Sequence, residues 1–469
     1  MADINLGVGG ANSATGGYDI DNSLKMESDN FESMTRTPSS SGNRKTWTLS
    51  FWFKRTELGA AVRLFEAWDG STGTSALFTD ADLFILDLTA GGNYFTSSAV
   101  FRDTSAWYHF VIRVDTTQGT ASERARVYVN GSELAGSWNS NIGQNTDLTW
   151  NQNVVHYLGV FHNSGNFANG YYAEVINVDG TSLAPTAFGE VDSDSGIWKP
   201  KNASVTYGTN GFKLEFKSSG SLGADTSDNG HTWTLNNITS ADQATDTPTN
   251  NFAIPNVIGT TRVNKFTYTE GGTKVVSAGS VDWDSWANTI AVGNGKWYAE
   301  FKMINTGNYF VGVGSEEYYF VGAGNGTGFP EIYYGYSGTN SVGFYNANGD
   351  IYNNGTQVVI GTTYTANDII SVALDMDNGK VYFAKNGTYI NSQNPVTGTN
   401  AQNLPDTEAR YFIGTSQFQA SLGVECNYGG YTTTSIASGN TDANGYGTFE
   451  YAPPSGYYAL CSRNLSEYG

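Results

Sequence analysis

The chain has little cysteine, proline and charge, and it has no long hydrophobic run. Its 469 residues include 2 cysteines, 10 prolines and 4 histidines, and 14% are Asp, Glu, Lys or Arg. The two cysteines, Cys426 and Cys461, are too few for a disulfide framework, so we expect buried thiols, with one disulfide as the alternative. Because no stretch approaches the ~18 apolar residues of a membrane span, we expect no membrane insertion.

Two further absences narrow the class of protein. The first residues lack the cationic and hydrophobic segments of a secretion signal, so we expect synthesis and folding in a reducing cytoplasm. Basic residues are outnumbered, with 24 Lys plus Arg against 44 Asp plus Glu and a net charge of −20. Binding a nucleic-acid backbone needs a basic face, so we expect no nucleic-acid partner.

Aromatic residues and short alternating runs are what the chain does have. Aromatics make up 14% of it, and glycine occurs 57 times. Residues 47–53, WTLSFWF, alternate apolar and polar side chains as a half-buried strand does. Asn-Gly pairs such as Asn130-Gly131 and Asn386-Gly387 suit hairpin turns, since both residues tolerate positive φ. The pattern predicts an all-β chain of two antiparallel β-sandwiches, jelly-roll-like and in series, preceded by a short N-terminal arm.

Composition divides the chain into four segments. Residues 1–24 are rich in Gly, Ala, Asn and Ser and predict an attachment arm with little to bury. Residues 25–200 form a first β unit. Residues 201–260 are rich in Thr, Asn, Asp and Ser and predict a linker with some ordered strand. Residues 261–469 form a second β unit.

The first unit resembles the laminin-G-like, concanavalin-A-like jelly roll. The resemblance rests on WTLSFWFKR at 47–55, AWYHFV at 106–111, VYVNG at 127–131 and GYYAEV at 170–175. It implies that Trp and Tyr side chains fill the space between two curved sheets.

The second unit resembles a SPRY domain. The motifs are GKWYAEF at 295–301, VGVG at 311–314, VGF at 342–344, DMDNGKVYFAKNG at 375–387 and APPSGYYALC at 452–461. SPRY domains bind proteins through loops at one end of the sandwich, which implies a protein partner.

Together with GIWKPK at 196–201, this order of units resembles virion proteins of tailed, especially marine, bacteriophages. The resemblance implies a non-enzymatic tail fibre, head fibre or capsid decoration, assembled in the host cytoplasm, that adheres to a host-surface glycan or protein or stabilises the particle. It also implies contact with other virion proteins through the arm, and a homo-oligomer, with a trimer as the first expectation. The alternatives are a polysaccharide depolymerase that uses the jelly-roll face and a cellular sugar-binding adhesion module.

No motif predicts a catalytic site. Glycanases of the concanavalin-A-like fold often carry two or three carboxylates on one strand, and no such run occurs here. Asp80 and Asp82 lie in turn-like sequence, where they are either solvated carboxylates or a calcium site; we expect no other cofactor. For His109, inside the WYH motif, we expect packing. The glycines of residues 312–314 predict a strand packed closely under a neighbour.

Crowded tyrosines are the remaining functional signal. The candidate binding residues are Tyr318, Tyr319, Tyr333, Tyr334 and Tyr336. Strand alternation would expose some of these rings, and exposed aromatic patches bind sugars or proteins. Simple packing in the core or in a subunit contact is the alternative.

Overall fold

The computed structural model describes residues 17–162, 165–260, 265–278, 283–316 and 333–469. These residues form two compact units, of which the first ends at Thr249 and the second runs from Asn250 to Gly469. Antiparallel strands dominate both units, which confirms the predicted all-β fold. No helix in the described part of the chain has the length and apolar character that a membrane span needs.

The first unit contains strands of two to ten residues, joined by turns and three short 3₁₀ helices at Ala121–Glu123, Pro185–Ala187 and Ser240–Asp242. The strands are β1 (Ser23–Met26), β2 (Ser33–Arg36), β3 (Thr46–Arg55), β4 (Val62–Trp68), β5 (Gly73–Phe78), β6 (Leu83–Asp87), β7 (Tyr94–Val100), β8 (Trp107–Asp115), β9 (Ala125–Val129), β10 (Ser132–Glu133), β11 (Gly136–Trp138), β12 (Val155–Leu158), β13 (Gly170–Asp179), β14 (Gly189–Val191), β15 (Trp198–Pro200), β16 (Phe212–Leu214), β17 (Thr234–Asn236) and β18 (Gln243–Ala244).

Two large sheets enclose the core of the first unit. The front sheet has the order β11-β7-β6-β5-β4-β12-β2-β17, and the back sheet has the order β10-β9-β8-β3-β13-β1-β18, with β16 beside β13. Trp47, Phe51 and Phe110 from the back sheet pack with Phe65 from the front sheet and with Trp150. The aromatic motifs of the sequence therefore fill the space between the sheets.

Strand β3 differs from the half-buried strand that its alternation predicts. Trp47, Leu49, Phe51 and Phe53 enter the core as expected, but the intervening side chains are buried too. Trp52 stacks on His109, with ring centroids 4.5 Å apart. The prediction is wrong because chain segments that are remote in sequence cover the other face of this strand.

Those covering segments come partly from the predicted linker, residues 201–260. Strand β16 pairs with β13, β17 with β2 and β18 with β1, so residues up to Thr249 belong to the first sandwich. The Asp246 carboxylate lies 2.7 Å from Lys54 Nζ, and both side chains are buried. Distant partners of this kind let a polar stretch pack in an interior, and the expected boundaries at 200 and 260 differ from the structure for that reason.

The arm is also shorter than predicted. Ile20 is buried and its backbone N–H donates to Thr249 Oγ1 at 3.1 Å, while β1 begins at Ser23. Residues 18–24 are thus part of the first sandwich. Residues 1–16 of the predicted arm lie outside the described residues.

The second unit continues the β architecture, with one 3₁₀ helix at Ile390–Ser392 and the helix α1 (Ser462–Tyr468) in its described residues. Its strands are β19 (Pro255–Thr260), β20 (Phe266–Thr269), β21 (Lys274–Ser277), β22 (Trp283–Asn288), β23 (Lys296–Met303), β24 (Asn308–Ser315), β25 (Ser341–Tyr345), β26 (Ile351–Asn353), β27 (Thr356–Val358), β28 (Ile369–Asp375), β29 (Lys380–Lys385), β30 (Thr388–Tyr389), β31 (Gln402–Asn403), β32 (Tyr411–Phe418), β33 (Gly423–Asn427) and β34 (Tyr458–Ala459).

These strands form a second sandwich. One sheet has the order β19-β22-β32-β24-β25-β26-β27, and the other has the order β20-β21-β33-β23-β28-β29-β30, with β31 on β29 and β34 parallel to β23. Trp286, Trp297 and Phe301 lie in the core between them. Asn386 and Gly387 have φ of 48° and 77°, which is the hairpin turn that their sequence predicts.

Candidate functional site

A row of mostly polar side chains crosses the outward face of the front sheet of the first unit. Residues that are directly paired across neighbouring strands share one face of a sheet. The strand pairing runs Thr234, Thr35, Tyr157, Glu66, Ser75, Asp87 and Tyr94. Their sequence neighbours Met34, Leu158, Phe65, Ala76 and Leu86 point the other way and lie in the core. The row therefore lines the face that does not pack on the back sheet.

Glu66 and Asp87 are the carboxylates of this row. Their strands are two apart, which separates their backbones by about 9.5 Å. Glu66 Oε2 accepts the backbone N–H of His162 at 2.6 Å, and Asp87 accepts those of Thr89 and Gly91 at 3.1 and 2.7 Å. Burial raises the pKa of both carboxyls. Each carboxylate thus holds the backbone of a neighbouring loop or turn.

A covering layer lies over Glu66. The His162 ring stacks on Trp68 at 4.4 Å between centroids, and the guanidinium of Arg63 lies 4.3 Å from the centre of the Phe161 ring. Arg63 also donates to Ser75 Oγ at 2.6 Å. As a result the Glu66 side chain is buried, and the row is closed to a bulky ligand at this position.

The other half of the row opens into a groove of about 450 Å³ over β17, β2 and β12. Its lining combines three aromatic rings, five hydroxyl or amide side chains, two valines and one arginine: Phe31, Tyr157 and Phe167; Ser33, Thr35, Thr37, Thr234 and Asn236; Val155 and Val160; and Arg36. The volume falls within the range of about 300–1,000 Å³ that is common for small-molecule sites. We refer to this feature as the front-sheet groove.

Phe31 has an unusual conformation at the rim of the front-sheet groove. Its φ is 57°, a left-handed value that bulky residues seldom adopt, and its side chain is 59% exposed. No other Phe, Tyr or Trp in the part of the chain that the structure describes is exposed to this degree. The ring contacts Phe167 edge-on, at 5.4 Å between centroids.

Ser50 and His109 lie at hydrogen-bond distance in the back sheet, with 2.8 Å between Oγ and Nε2. This is the spacing of a nucleophile and its base. However, the indole N–H of Trp198 donates to Nδ1 of the same ring at 2.9 Å. An indole only donates, so Nδ1 carries no proton, and the proton of the neutral ring is on Nε2 and is donated to Ser50. Ser50 is therefore not activated, and His109 packs as expected.

Asp80 and Asp82, for which the sequence indicates either solvated carboxylates or a calcium site, have separate environments. Asp80 is exposed. Asp82 is buried, and its two oxygens lie 3.0 Å from Arg55 Nη2 and 2.8 Å from Arg102 Nε. Two guanidinium groups thus neutralise the Asp82 carboxylate. Within the described ranges, no three His, Cys, Asp or Glu side chains are grouped to hold a metal ion.

The predicted tyrosine cluster is only partly brought together. Tyr318 and Tyr319 lie outside the described residues. The ring of Tyr333 is half-buried and stacks on Phe310 at 4.6 Å, and Tyr336 contacts Tyr333 edge-on at 5.2 Å. Tyr334 is fully buried. For Tyr334, packing is the role that the structure supports.

Tyr334 lies over a row of three glycines. Gly312 pairs with Gly343 on one side and with Gly414 on the other, so the three share one face. A Cβ on Gly312 would lie 2.8 Å from Tyr334 Cβ, and one on Gly414 would lie 2.6 Å from the Tyr334 hydroxyl oxygen. This confirms the close packing that the glycines of 312–314 predict.

The two cysteines are buried, and neither forms a disulfide. Burial raises the pKa of Cys426 well above its usual value and that of Cys461 to about 12. Both thiols therefore stay protonated and unreactive at neutral pH.

Sequence reasoning missed the polar row and Phe31. The row joins residues that are far apart in the chain, so no local sequence motif predicts it. Residues 27–30 have a turn-like composition, but nothing in them indicates that the aromatic residue after them takes the positive φ. Two residues that depend on long-range pairing, Thr35 and Tyr157, illustrate the difficulty, because only the register of β2 and β12 brings them together.

Comparison with known proteins agrees with the two sandwiches. Residues 29–181 match the family model Laminin_G_3, described as the concanavalin A-like lectin/glucanases superfamily, and residues 296–429 match the SPRY domain model. No curated protein matches the chain.

Three solved structures illustrate the similarity. The SPRY domain of human HERC1 is 13% identical at a TM-score of 0.28, covering 39% of this chain and 99% of its own. A heptameric SAP-like pentraxin from Limulus polyphemus is 17% identical at 0.31, covering 47% and 97%. The PSpry domain of TRIM65 is 11% identical at 0.27, covering 37% and 88%.

These three similarities assign no ligand to the chain, and the domain content rests on the two family models. The protein contains a laminin-G-type concanavalin A-like domain followed by a SPRY domain.

Proposed function

We propose that the protein is a non-enzymatic structural component of a tailed-bacteriophage virion: a tail fibre, head fibre or capsid decoration. It acts in adhesion to a host surface or in stabilising the particle, and it is assembled in the host cytoplasm. Its partners are other virion proteins, contacted through residues 1–16 of the predicted arm, and a host-surface glycan or protein. A homotrimer is the assembly that we propose first, because repeated weak sites then add up to useful avidity.

The observation that carries the adhesive role is the contrast between the two halves of the polar row. In the half with the carboxylates Glu66 is buried, and Glu66 and Asp87 both hold loop backbone. The half without carboxylates opens into the front-sheet groove. A surface of this kind supports binding of a ligand without chemistry on it.

Polysaccharide depolymerisation is the second candidate, and one observation favours it. Glycosidases that invert configuration place two carboxyl groups about 6.5–9.5 Å apart, and the backbones of Glu66 and Asp87 are separated by about 9.5 Å. The burial of Glu66 argues against this role, as do the backbone hydrogen bonds that both carboxylates accept.

The place of the protein in the particle is tested by labelling. A gold-binding tag is added after Gly469 in the phage genome, and purified particles are imaged by electron microscopy. We expect label at regular, symmetry-related positions. Particles without label, from cells that contain the tagged protein, would contradict the virion role; a second strain lacking residues 1–16 tests the arm, and we expect its particles to lose the label.

A further inference from the structure

The conformation of Phe31 costs folding free energy without a matching gain in burial. A bulky residue at φ 57° is strained, and the ring that this conformation projects remains 59% exposed. The turn at residues 27–32 is held by the Glu32 carboxylate, which accepts hydrogen bonds from Lys25 Nζ and from the Glu27 backbone N–H, each at 2.8 Å. The left-handed residue closes this turn, since the Glu32 backbone N–H donates to the Glu27 carbonyl at 3.2 Å. The turn does not require a large apolar side chain at this position, so the exposed ring points to a function.

Polar groups with open hydrogen-bonding capacity surround this ring. Tyr157 lines the front-sheet groove, and its hydroxyl bonds no residue in the described part of the chain. Thr35 and Thr234 are paired across β2 and β17, so their hydroxyls lie side by side. Asn236 Nδ2 is 3.4 and 3.5 Å from the Ser33 and Thr35 hydroxyls, which leaves these groups only weakly engaged.

The front-sheet groove presents no unpaired charge among its described lining. Arg36 is its charged residue, and its Nη1 donates to the Asn210 carbonyl at 3.1 Å. Burial lowers the pKa of this guanidinium, and the carboxylates of Asp179 and Asp225 act on it in the opposite direction. The Arg36 guanidinium is therefore already bonded within the protein and offers little attraction to an anionic ligand.

We propose that the front-sheet groove binds a neutral carbohydrate, with a pyranose ring packed on Phe31. A pyranose has a face of C–H groups that suits an aromatic ring and a rim of hydroxyls that suits Tyr157, Thr35, Thr234 and Asn236. The volume of about 450 Å³ admits a short oligosaccharide. This inference rests on the proposed adhesive function and names its ligand class.

The test uses the full chain on a printed array of short neutral and acidic oligosaccharides, followed by titration calorimetry with the best binder. Phe31→Asn removes the ring but keeps a residue that tolerates positive φ, and Tyr157→Phe removes only the hydroxyl. Val100→Ala is the control, because Val100 is an exposed residue at the opposite end of the same sheet. We expect neutral binders, affinity at least about tenfold weaker in both variants, and no change in the control.

Each other outcome overturns the proposal. The proposal is wrong if the protein binds only acidic glycans, if it binds no glycan, or if Phe31→Asn keeps full affinity. It is also wrong if a peptide occupies the groove by adding a strand to the β17 edge. If the array fails while tagged particles are labelled, the groove inference falls and the virion role stands. If the array detects binding while the particles carry no label, the groove inference stands and the virion role is wrong.

Discussion

The indole N–H of Trp198 is bonded to Nδ1 of the buried His109, with 2.9 Å between the nitrogens. This contact fixes which nitrogen of the imidazole is protonated, and so it decides that Ser50 receives a hydrogen bond instead of giving up a proton. The same contact holds Trp198, and with it strand β15, against the outward face of the back sheet. Trp52 stacks on the same imidazole.

We expect His109 to stay neutral down to about pH 4. Burial lowers its pKa to about 3, against about 6.5 in an unfolded chain. The unfolded state therefore binds the proton more strongly, so this contribution to stability is complete above pH 6.5 and is lost as the pH falls toward 3. NMR of the imidazole carbons measures the protonation directly, and a midpoint near 6.5 in the folded protein would contradict the buried neutral ring.

Replacing His109 by Gln checks the same contribution through stability. The amide keeps a donor and an acceptor but does not titrate, so the free energy of unfolding of the first unit should fall less steeply between pH 6.5 and 4 than in the parent. Urea unfolding at several pH values gives the comparison. His156, whose pKa burial lowers to about 4, remains in both proteins, so a residual slope is expected.

Gly312→Ala should destabilise the second unit by about 1–3 kcal/mol. The added Cβ would meet the backbone carbonyl of Val342 and the Cβ of Tyr334, neither of which can move without separating the strands. Gly293→Ala is the matched control, because its added Cβ would meet only Arg410 Cγ, at 3.5 Å. Thermal unfolding measures both; equal melting temperatures for the two variants would show that Tyr334 does not lie over the glycine row.

At position 31, glycine should be more stable than alanine by about 1 kcal/mol. Both substitutions remove the ring, but only alanine retains the Cβ that positive φ strains. At an ordinary turn position the order is reversed, since glycine gains more entropy on unfolding. Denaturant titration of the two variants decides it, and a more stable Phe31→Ala would mean that the backbone there is not left-handed.

Asp246→Ala should lower the stability of the first unit by about 3–5 kcal/mol, because it removes the carboxylate that lies 2.7 Å from the buried Lys54 ammonium. Asp246 also accepts the indole N–H of Trp107 at 3.0 Å. Asp80→Ala, at an exposed carboxylate, is the control. Residues up to Thr249 complete the first sandwich. A fragment of residues 17–249 should therefore unfold cooperatively, and a fragment that ends at residue 200 should not. Cooperative unfolding of the shorter fragment would show that residues 201–249 are a linker, as composition predicts.

Local signals were sufficient for much of the fold. The Asn386-Gly387 turn depends on two adjacent residues, and the strand at 296–301 lies within a motif that resembles a SPRY domain, so both can be predicted from the sequence. Composition predicts a linker around Asp246, because the lysine that it pairs with, Lys54, is 192 positions away. Burial of one charge by another is a long-range event that composition does not record.

The candidate site was less predictable for the same reason. The tyrosines at 333–336 stand out in the sequence, yet the structure buries Tyr334 over glycines that come from three separate strands. Thr35 and Tyr157 have no distinctive context, and only strand register brings them to the rim of one groove. Sequence patterns locate unusual residues, while the open or closed state of a surface depends on the covering segments.

A paired measurement on purified host-envelope polysaccharide separates adhesion from depolymerisation. The full protein is incubated with it, and both retention on immobilised polysaccharide and release of reducing ends are followed. We expect retention that Phe31→Asn weakens, with no reducing ends above the level of a protein-free sample. Release of reducing ends that Glu66→Gln or Asp87→Asn abolishes would contradict this expectation and would establish the depolymerase instead.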